Sequence, residues 1–106
     1  MAIFEVEELE FNNLMAQEFE KKQVVILKFG SEYCDGCHAL ESELEDLEEE
    51  NENVSILIID CNECPDLAEK YNVRTLPTML IYKNAETILF RYEGVVLSQD
   101  IEEIIS

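Results

Sequence analysis

The sequence predicts an α/β domain in which a mixed sheet is covered by helices on both faces. Segments of buried-strand type alternate with segments of helical period, which is typical of parallel strands joined by right-handed crossovers. Two more strand segments then follow each other closely, as the arms of an antiparallel hairpin do. With 106 residues, the chain has the length of one domain, so we expect residues 1–106 to share a single core.

The first half of the chain contains three predicted strands and two predicted helices. A short strand is expected at 2–5, and helical spacing of apolar residues predicts a helix over 7–21. The apolar positions of that helix are Leu9, Leu14, Met15 and Phe19. The runs VVILKF at 24–29 and VSILIID at 54–60 are rich in β-branched residues and predict strands. Helical period over 34–51 places a helix between them.

The second half begins with a short predicted helix over 65–71, because proline suits the first turn of a helix. TMLIYK at 78–83 and TILFRYE at 87–93 are strand segments joined by three residues, the length of a hairpin loop. Ser98 is a predicted N-cap for a last helix. We write the order of elements as βαβαββα, with the hairpin adding antiparallel strands to the sheet.

Charge and hydropathy exclude several classes of partner. Seven Lys and Arg against 25 Asp and Glu give a formal charge of -18, which repels nucleic acid and anionic membrane surfaces. No apolar run approaches the length of a membrane span, and the acidic N-terminus is unlike a secretory signal. We therefore expect a cytoplasmic, monomeric protein that binds neither nucleic acid nor membranes.

The segment YCDGCH at 33–38 contains two thiols separated by two residues, followed by the only histidine of the chain. A redox pair, half of a zinc site and the C-x-x-C-H pattern of c-type haem attachment all fit these letters. Haem attachment needs export, a distal ligand and a largely helical chain, and this chain is rich in strands. We therefore expect no haem.

Four segments resemble the thioredoxin family, and together they extend over nearly the whole chain: KFGSEYCDGC, IIDCNE, KYNVRTLPTMLIYKN and YEGVVLSQDIEEII. The resemblance implies a thioredoxin fold and a thiol–disulfide oxidoreductase that reduces protein disulfides. It also implies a reductase of the thioredoxin-reductase type as electron donor, and no bound cofactor. In that family the proline at position 77 follows a cis bond and lies against the disulfide.

Four features depart from the usual pattern of the family. Asp35 and Gly36 stand between the cysteines where Gly-Pro is common, and Tyr33 precedes them where Trp is common. Lys28 stands at the strand position that usually holds a buried acid. The fourth departure is a second C-x-x-C pair, formed by Cys61 and Cys64.

Cys34 is the predicted nucleophile because it opens a helix directly after a strand. The thiolate is the attacking species, and the unpaired N–H groups of a helix N-terminus favour a negative sulfur. The carboxylates of Asp35 and Glu32 oppose this effect by a similar amount. We therefore expect a Cys34 of moderate acidity and a pair that donates electrons to other disulfides.

Cys37, one helical turn later, is the predicted resolving thiol, which attacks the mixed disulfide between Cys34 and a substrate. Cys37 must lose its proton before it attacks, and Lys28 is the candidate catalytic residue for this deprotonation. A neutral Lys28 amine would accept the proton, and a charged one would stabilise the Cys37 thiolate directly. The alternative is that Lys28 extends to water or pairs with a glutamate.

The resemblance places the substrate groove beside Tyr33, Leu76, Pro77 and Gly94. Backbone groups near Leu76 and Pro77 would pair with an extended substrate, which suits many sequences because it depends on main chain. An acidic rim favours basic or neutral protein partners. The residues of that rim are Glu32, Asp35, Glu63 and Glu93.

The second pair, Cys61 and Cys64, follows a strand that should run parallel to the one before Cys34, so both pairs should lie at one end of the sheet. A relay disulfide, a regulatory or metal-binding pair and plain reduced thiols are the three possible uses, and we favour the last. A four-sulfur zinc site would span 23 residues between the pairs, which exceeds the usual spacing of about 15 to 20. We expect no metal, and a non-catalytic interaction module that binds zinc through Cys34, Cys37, Cys61 and Cys64 stays as the alternative function.

Overall fold

The computed structural model describes residues 3–21 and 23–106, and nine regular elements follow one another along it. The elements are β1 (Ile3–Glu5), α1 (Phe11–Glu20), β2 (Val24–Gly30), α2 (Asp35–Glu50), β3 (Val54–Asp60), α3 (Pro65–Lys70), β4 (Thr78–Asn84), β5 (Thr87–Glu93) and α4 (Ser98–Ile105). The predicted order βαβαββα corresponds to β2 through α4; it leaves out the strand expected at 2–5 and the helix expected over 7–21, which precede it as β1 and α1. Residue 2 of that predicted strand lies outside the described residues.

The five strands form one sheet in the order β1-β3-β2-β4-β5. β1, β3 and β2 are parallel, whereas β4 is antiparallel to both β2 and β5. The predicted mixed sheet is therefore confirmed. Gly30, the last residue of β2, lies opposite Asp60, the last residue of β3. Because the two strands are parallel, the segments that follow them leave the sheet at the same edge.

Helices cover both faces of the sheet, as predicted. On one face Val25, Leu27 and Phe29 of β2 share a core with α1 and α3. On the other face Val24 and Ile26 pack with residues of α2 and α4. Alternation along β2 puts position 28 on this second face, so a lysine lies where the pattern of the strand calls for an apolar residue.

The helix predicted over 7–21 begins later than expected, at Phe11, because residues Glu8–Glu10 form a 3-10 turn. The tighter turn changes the direction of the side chains. Leu9, which was predicted to lie on the apolar face of the helix, is 94% exposed, and Phe11 is buried instead. Glu18 also lies on the buried side of α1 and is only 2% exposed.

The N-terminus of the last helix is capped by a side chain of α2, and not by the hydroxyl group of Ser98. Ser98 is the first residue of α4, and its backbone N–H donates to Oε1 of Glu43 over 2.8 Å. Glu43 belongs to α2, so the carboxylate satisfies an N-terminal N–H and joins the two helices on one face. The prediction that Ser98 itself is the N-cap was therefore wrong.

No helix in the described part of the chain is long and apolar enough to cross a membrane.

Candidate active site

The first thiol pair lies at the junction of β2 and α2. Cys34 has extended backbone torsions and is the N-cap of α2, so the chain turns there from strand to helix. The backbone N–H of Cys37 donates to Sγ of Cys34 over 3.1 Å. The two side chains form a disulfide, with their Cα atoms 5.2 Å apart. Cys34 is partly exposed and Cys37 is fully buried, so only the first sulfur is open to another protein.

Lys28 lies beside the buried sulfur. A Cβ atom built on Gly30 would be 2.7 Å from Nζ of Lys28 and 2.9 Å from Sγ of Cys37. Both atoms therefore lie within 3 Å of one point. The side chain of Lys28 is only 3% exposed, so it does not extend to water. A charged amine in this position would act on a negative Cys37 sulfur through its field, and the catalytic role of Lys28 stays a prediction.

Lys28 is paired with a residue that the sequence analysis missed. Its Nζ donates to Oε2 of Glu41 over 3.0 Å. Glu41 follows Cys37 by four residues, so the two side chains lie on the same side of α2. The spacing of four residues between Cys37 and Glu41 could have indicated this partner in the sequence. However, Glu41 belongs to a run of acidic residues, and no other feature of the run distinguishes it from its neighbours. Pairing of Lys28 with a glutamate, the predicted alternative to a catalytic role, is therefore what the structure shows, and the catalytic role stays a prediction.

Three of the four residues predicted to bind substrate lie together beside the disulfide. The Leu76–Pro77 peptide bond is cis, as the resemblance implied, and Pro77 is buried. A Cβ atom on Gly36 would lie 3.2 Å from Cδ of Pro77, so the proline ring packs against the first turn of α2. The backbone N–H of Gly94 donates to the carbonyl oxygen of Pro77 over 2.9 Å. Gly94 has a φ of 127°, which favours glycine.

The fourth predicted substrate-binding residue, Tyr33, is 88% exposed. It precedes Cys34 in the turn between β2 and α2 and presents its ring to solvent. An exposed aromatic ring next to the accessible sulfur offers a large contact area at small entropic cost. Tyr33 is therefore the neighbour of Cys34 in sequence, and its side chain does not pack into the core.

The rim around Cys34 is acidic. Asp35 lies in the first turn of α2, and the four predicted rim carboxylates are all exposed, at Glu32, Asp35, Glu63 and Glu93. A ring nitrogen of His38 is 2.9 Å from the carbonyl oxygen of Glu32, which ties the turn before Cys34 to the second turn of α2. Exposed carboxylates repel an acidic partner and attract a basic one.

The second thiol pair lies one strand away and contains no disulfide. Cys61 is partly buried and Cys64 is buried, and both are free. Burial raises the pKa of Cys61, with a further rise from Asp60 and an opposing effect of Lys28. Burial also raises the pKa of Cys64, together with the charges of Glu8 and Glu63. Both thiols are therefore poorer nucleophiles at neutral pH than an ordinary cysteine.

The geometry does not assemble the four sulfurs into a zinc site. Cys34 and Cys37 are bonded to each other, and the thiol of Cys64 points to the carbonyl oxygen of Val6 at 3.7 Å. Across residues 3–21 and 23–106, no cluster of three or more Cys, His, Asp or Glu side chains has the arrangement of a metal site. The chemistry that this site can perform with its own groups is exchange between thiols and disulfides.

Comparison with known proteins agrees with this site. The family model described as Thioredoxin matches residues 2–106. The chain is 36% identical to a thioredoxin of Echinococcus granulosus over 62 residues, which cover 58% of each chain. It is also 36% identical to a thioredoxin of Buchnera aphidicola subsp. Baizongia pistaciae over 70 residues, 65% of this chain and 64% of that one. The matched segments thus cover less than two thirds of these relatives' own lengths.

A solved structure gives the same result over the whole chain. The crystal structure of a chloroplastic thioredoxin z superposes with a TM-score of 0.85 and 28% identity, covering 99% of this chain and 92% of that one. The resemblance noted in the sequence and the predicted thioredoxin fold are confirmed. From the match of the family model over residues 2–106 and from this superposition, it follows that the chain belongs to the thioredoxin family.

Proposed function

We propose that this protein is a thiol–disulfide oxidoreductase that reduces disulfides of other proteins through Cys34 and Cys37. The observation that supports this most directly is the disulfide at the N-terminus of α2, with one sulfur accessible and its partner buried one turn later. An exposed thiol at a helix N-terminus is stabilised as the attacking thiolate. A buried neighbour can reach only that sulfur, which is the property needed to release a substrate.

In this scheme the Cys34 thiolate attacks a substrate disulfide, and one substrate sulfur leaves with the bonding electron pair. Cys37 then loses its proton and attacks Sγ of Cys34, which releases the second substrate sulfur as a thiol. The protein is left with the Cys34–Cys37 disulfide and the substrate is reduced by two electrons. Lys28 would support the second step through its charge, because its amine and Sγ of Cys37 both lie within 3 Å of the point that a Cβ of Gly30 would occupy.

The substrate would lie over the surface formed by Leu76, Pro77 and Gly94, with Tyr33 on the other side of Cys34. An extended segment that contains the disulfide can pair with backbone groups there, in the manner of an added strand. The carboxylates of the rim and the formal charge of -18 favour protein substrates that are basic or neutral around their disulfide.

Electrons would come from a reductase of the thioredoxin-reductase type, and no bound cofactor is needed in this chain. We place the protein in the cytoplasm as a monomer. Two unbonded cysteines, Cys61 and Cys64, suit a reducing compartment, where protein thiols stay reduced.

Trapping tests the proposal. In Cys37→Ser the second step is blocked, so incubation with a lysate should accumulate mixed disulfides that dithiothreitol releases. The matched control is the double variant Cys34→Ser, Cys37→Ser, which retains Cys61 and Cys64 and should trap nothing. Equal adduct in both variants, or none in Cys37→Ser, would contradict the assignment.

A further inference from the structure

The buried amine of Lys28 forms an ion pair with a carboxylate of α2. Its side chain is 3% exposed, and its hydrogen-bond partner is Oε2 of Glu41 at 3.0 Å. An ammonium group taken out of water loses its hydration, and an opposite charge nearby offsets the free-energy cost of that loss. Glu41 provides that charge, and its position on α2 also fixes where the flexible lysine side chain ends.

That end point is next to the resolving sulfur. Nζ of Lys28 and Sγ of Cys37 both lie within 3 Å of the point that a Cβ of Gly30 would occupy. Cys37 is fully buried, so its thiolate would find little water to stabilise it. An ammonium group at this range in a poorly hydrated site stabilises a negative sulfur far more than the same group would at the surface.

Glu41 also connects the buried pair with solvent. Its side chain is 35% exposed, and a cleft of about 400 Å³ is lined by both Lys28 and Glu41. The cleft opens at the edge of the sheet where β1, β2 and β3 end. The other titratable groups that line it are Glu5, Glu32, His38, Asp60 and Glu63.

We propose that Glu41 is a positioning residue for the resolving step, which holds the Lys28 ammonium group against Cys37. The proposal rests on the oxidoreductase function proposed above. In the resolving step the S–H bond of Cys37 breaks and its proton leaves to solvent through the cleft. The thiolate, stabilised by Lys28, forms a bond with Sγ of Cys34. The bond between Cys34 and the substrate breaks, and the substrate sulfur leaves with the electron pair and takes a proton from solvent.

Stopped-flow reaction of the reduced protein with one equivalent of 2,2′-dithiodipyridine separates the two steps. The first pyridine-2-thione reports attack by Cys34, and the second reports resolution by Cys37. In Glu41→Gln we expect the first phase to stay within twofold of wild type and the second to slow by about tenfold at pH 7, with its pH profile moved upward by about one unit. Glu41→Asp, which keeps the charge but shortens the side chain, should fall between the two.

Two controls separate a positioning role from a structural one. Glu45→Gln removes an exposed carboxylate one turn later on the same helix and should leave both phases unchanged. Adding Glu41→Gln to Lys28→Met should slow the second phase no further than Lys28→Met alone. An unchanged second phase in Glu41→Gln, or an undiminished effect in the Lys28→Met background, would overturn the role of Glu41. Absence of a fast first phase in the wild type would instead contradict the proposed function itself.

Discussion

The backbone N–H of Cys61 donates to the carbonyl oxygen of Gly30 over 2.9 Å. Gly30 is the last residue of β2, so the second thiol pair begins next to the end of the strand that leads to Cys34. The two pairs nevertheless differ in accessibility and charge. Cys34 lies at a helix N-terminus and is partly exposed, whereas Cys64 is buried beneath the loop after β1. This difference predicts which thiols react.

In the reduced protein we expect iodoacetamide to modify Cys34 about tenfold faster than Cys61 or Cys64 at pH 7, because the thiolate is the reactive species. The raised pKa values of Cys61 and Cys64 mean that their modification should increase steadily as the pH rises toward 9 and above. Mass spectrometry of timed samples measures all the sites together. Modification of Cys61 as fast as that of Cys34 at pH 7 would contradict the prediction.

Gly30→Ala should destabilise the oxidised protein by about 1–3 kcal/mol, the usual cost of overpacking a well-packed site. The new Cβ would lie 2.9 Å from Sγ of Cys37, which the disulfide holds in place. The comparison variant is Gly36→Ala, whose Cβ would meet Pro77 at the easier distance of 3.2 Å. Urea unfolding of both oxidised variants checks this. The prediction fails if Gly36→Ala loses as much stability as Gly30→Ala.

Glu18→Gln should lower the free energy of unfolding by about 1–3 kcal/mol at pH 7. Glu18 is buried and accepts hydrogen bonds from Ser55 at 2.6 Å and Lys21 at 2.8 Å. Burial raises the pKa of Glu18, but these bonds and the charge of Lys21 outweigh it, so the pKa lies below its usual 4.5.

A lowered pKa sets the sign of the pH dependence of this effect. The stability contributed by the Glu18 carboxylate is fully present above about pH 4.5 and is lost as the pH falls through the lower folded-state pKa. The difference between wild type and Glu18→Gln should therefore shrink below pH 4.5. Glu20→Gln, an exposed position on the same helix, should show no comparable difference at either pH. A difference for Glu18→Gln that is constant from pH 7 to pH 3 would be evidence against this account.

Glu43→Ala should cost about 1 kcal/mol of stability, since the carboxylate caps the N-terminus of α4 through the N–H of Ser98. The control is Glu45→Ala, which makes the same change at an exposed position two residues later. Thermal unfolding followed by circular dichroism compares the two variants. Equal losses would mean that the contact between Glu43 and Ser98 adds nothing to stability.

Much of the fold was predictable because its signals are local. Runs of β-branched residues in β2 and β3 and the period of α2 each depend on neighbours in sequence. The hairpin was also predicted, but its loop has two residues, Ala85 and Glu86, and not three, because Asn84 belongs to β4 and pairs with Thr87. The helical spacing of apolar residues was misleading at the start of α1, because the backbone there forms a 3-10 turn and not an α-helix. Leu9 fits the helical period, but the 3-10 turn at Glu8–Glu10 directs it to solvent.

The alternation of strands and helices, the thiol pair at a strand–helix junction and the unusual Lys28 within an apolar strand can all be read from the residues alone. The partners of the charged side chains depend on how the chain packs in three dimensions. Glu41 is 13 residues from Lys28, Glu18 is 37 residues from Ser55, and Glu43 is 55 residues from Ser98. The physical reason is that an ion pair or hydrogen bond requires two atoms within about 3 Å. Among 25 acidic residues, the packed helices and sheet select which few reach that distance.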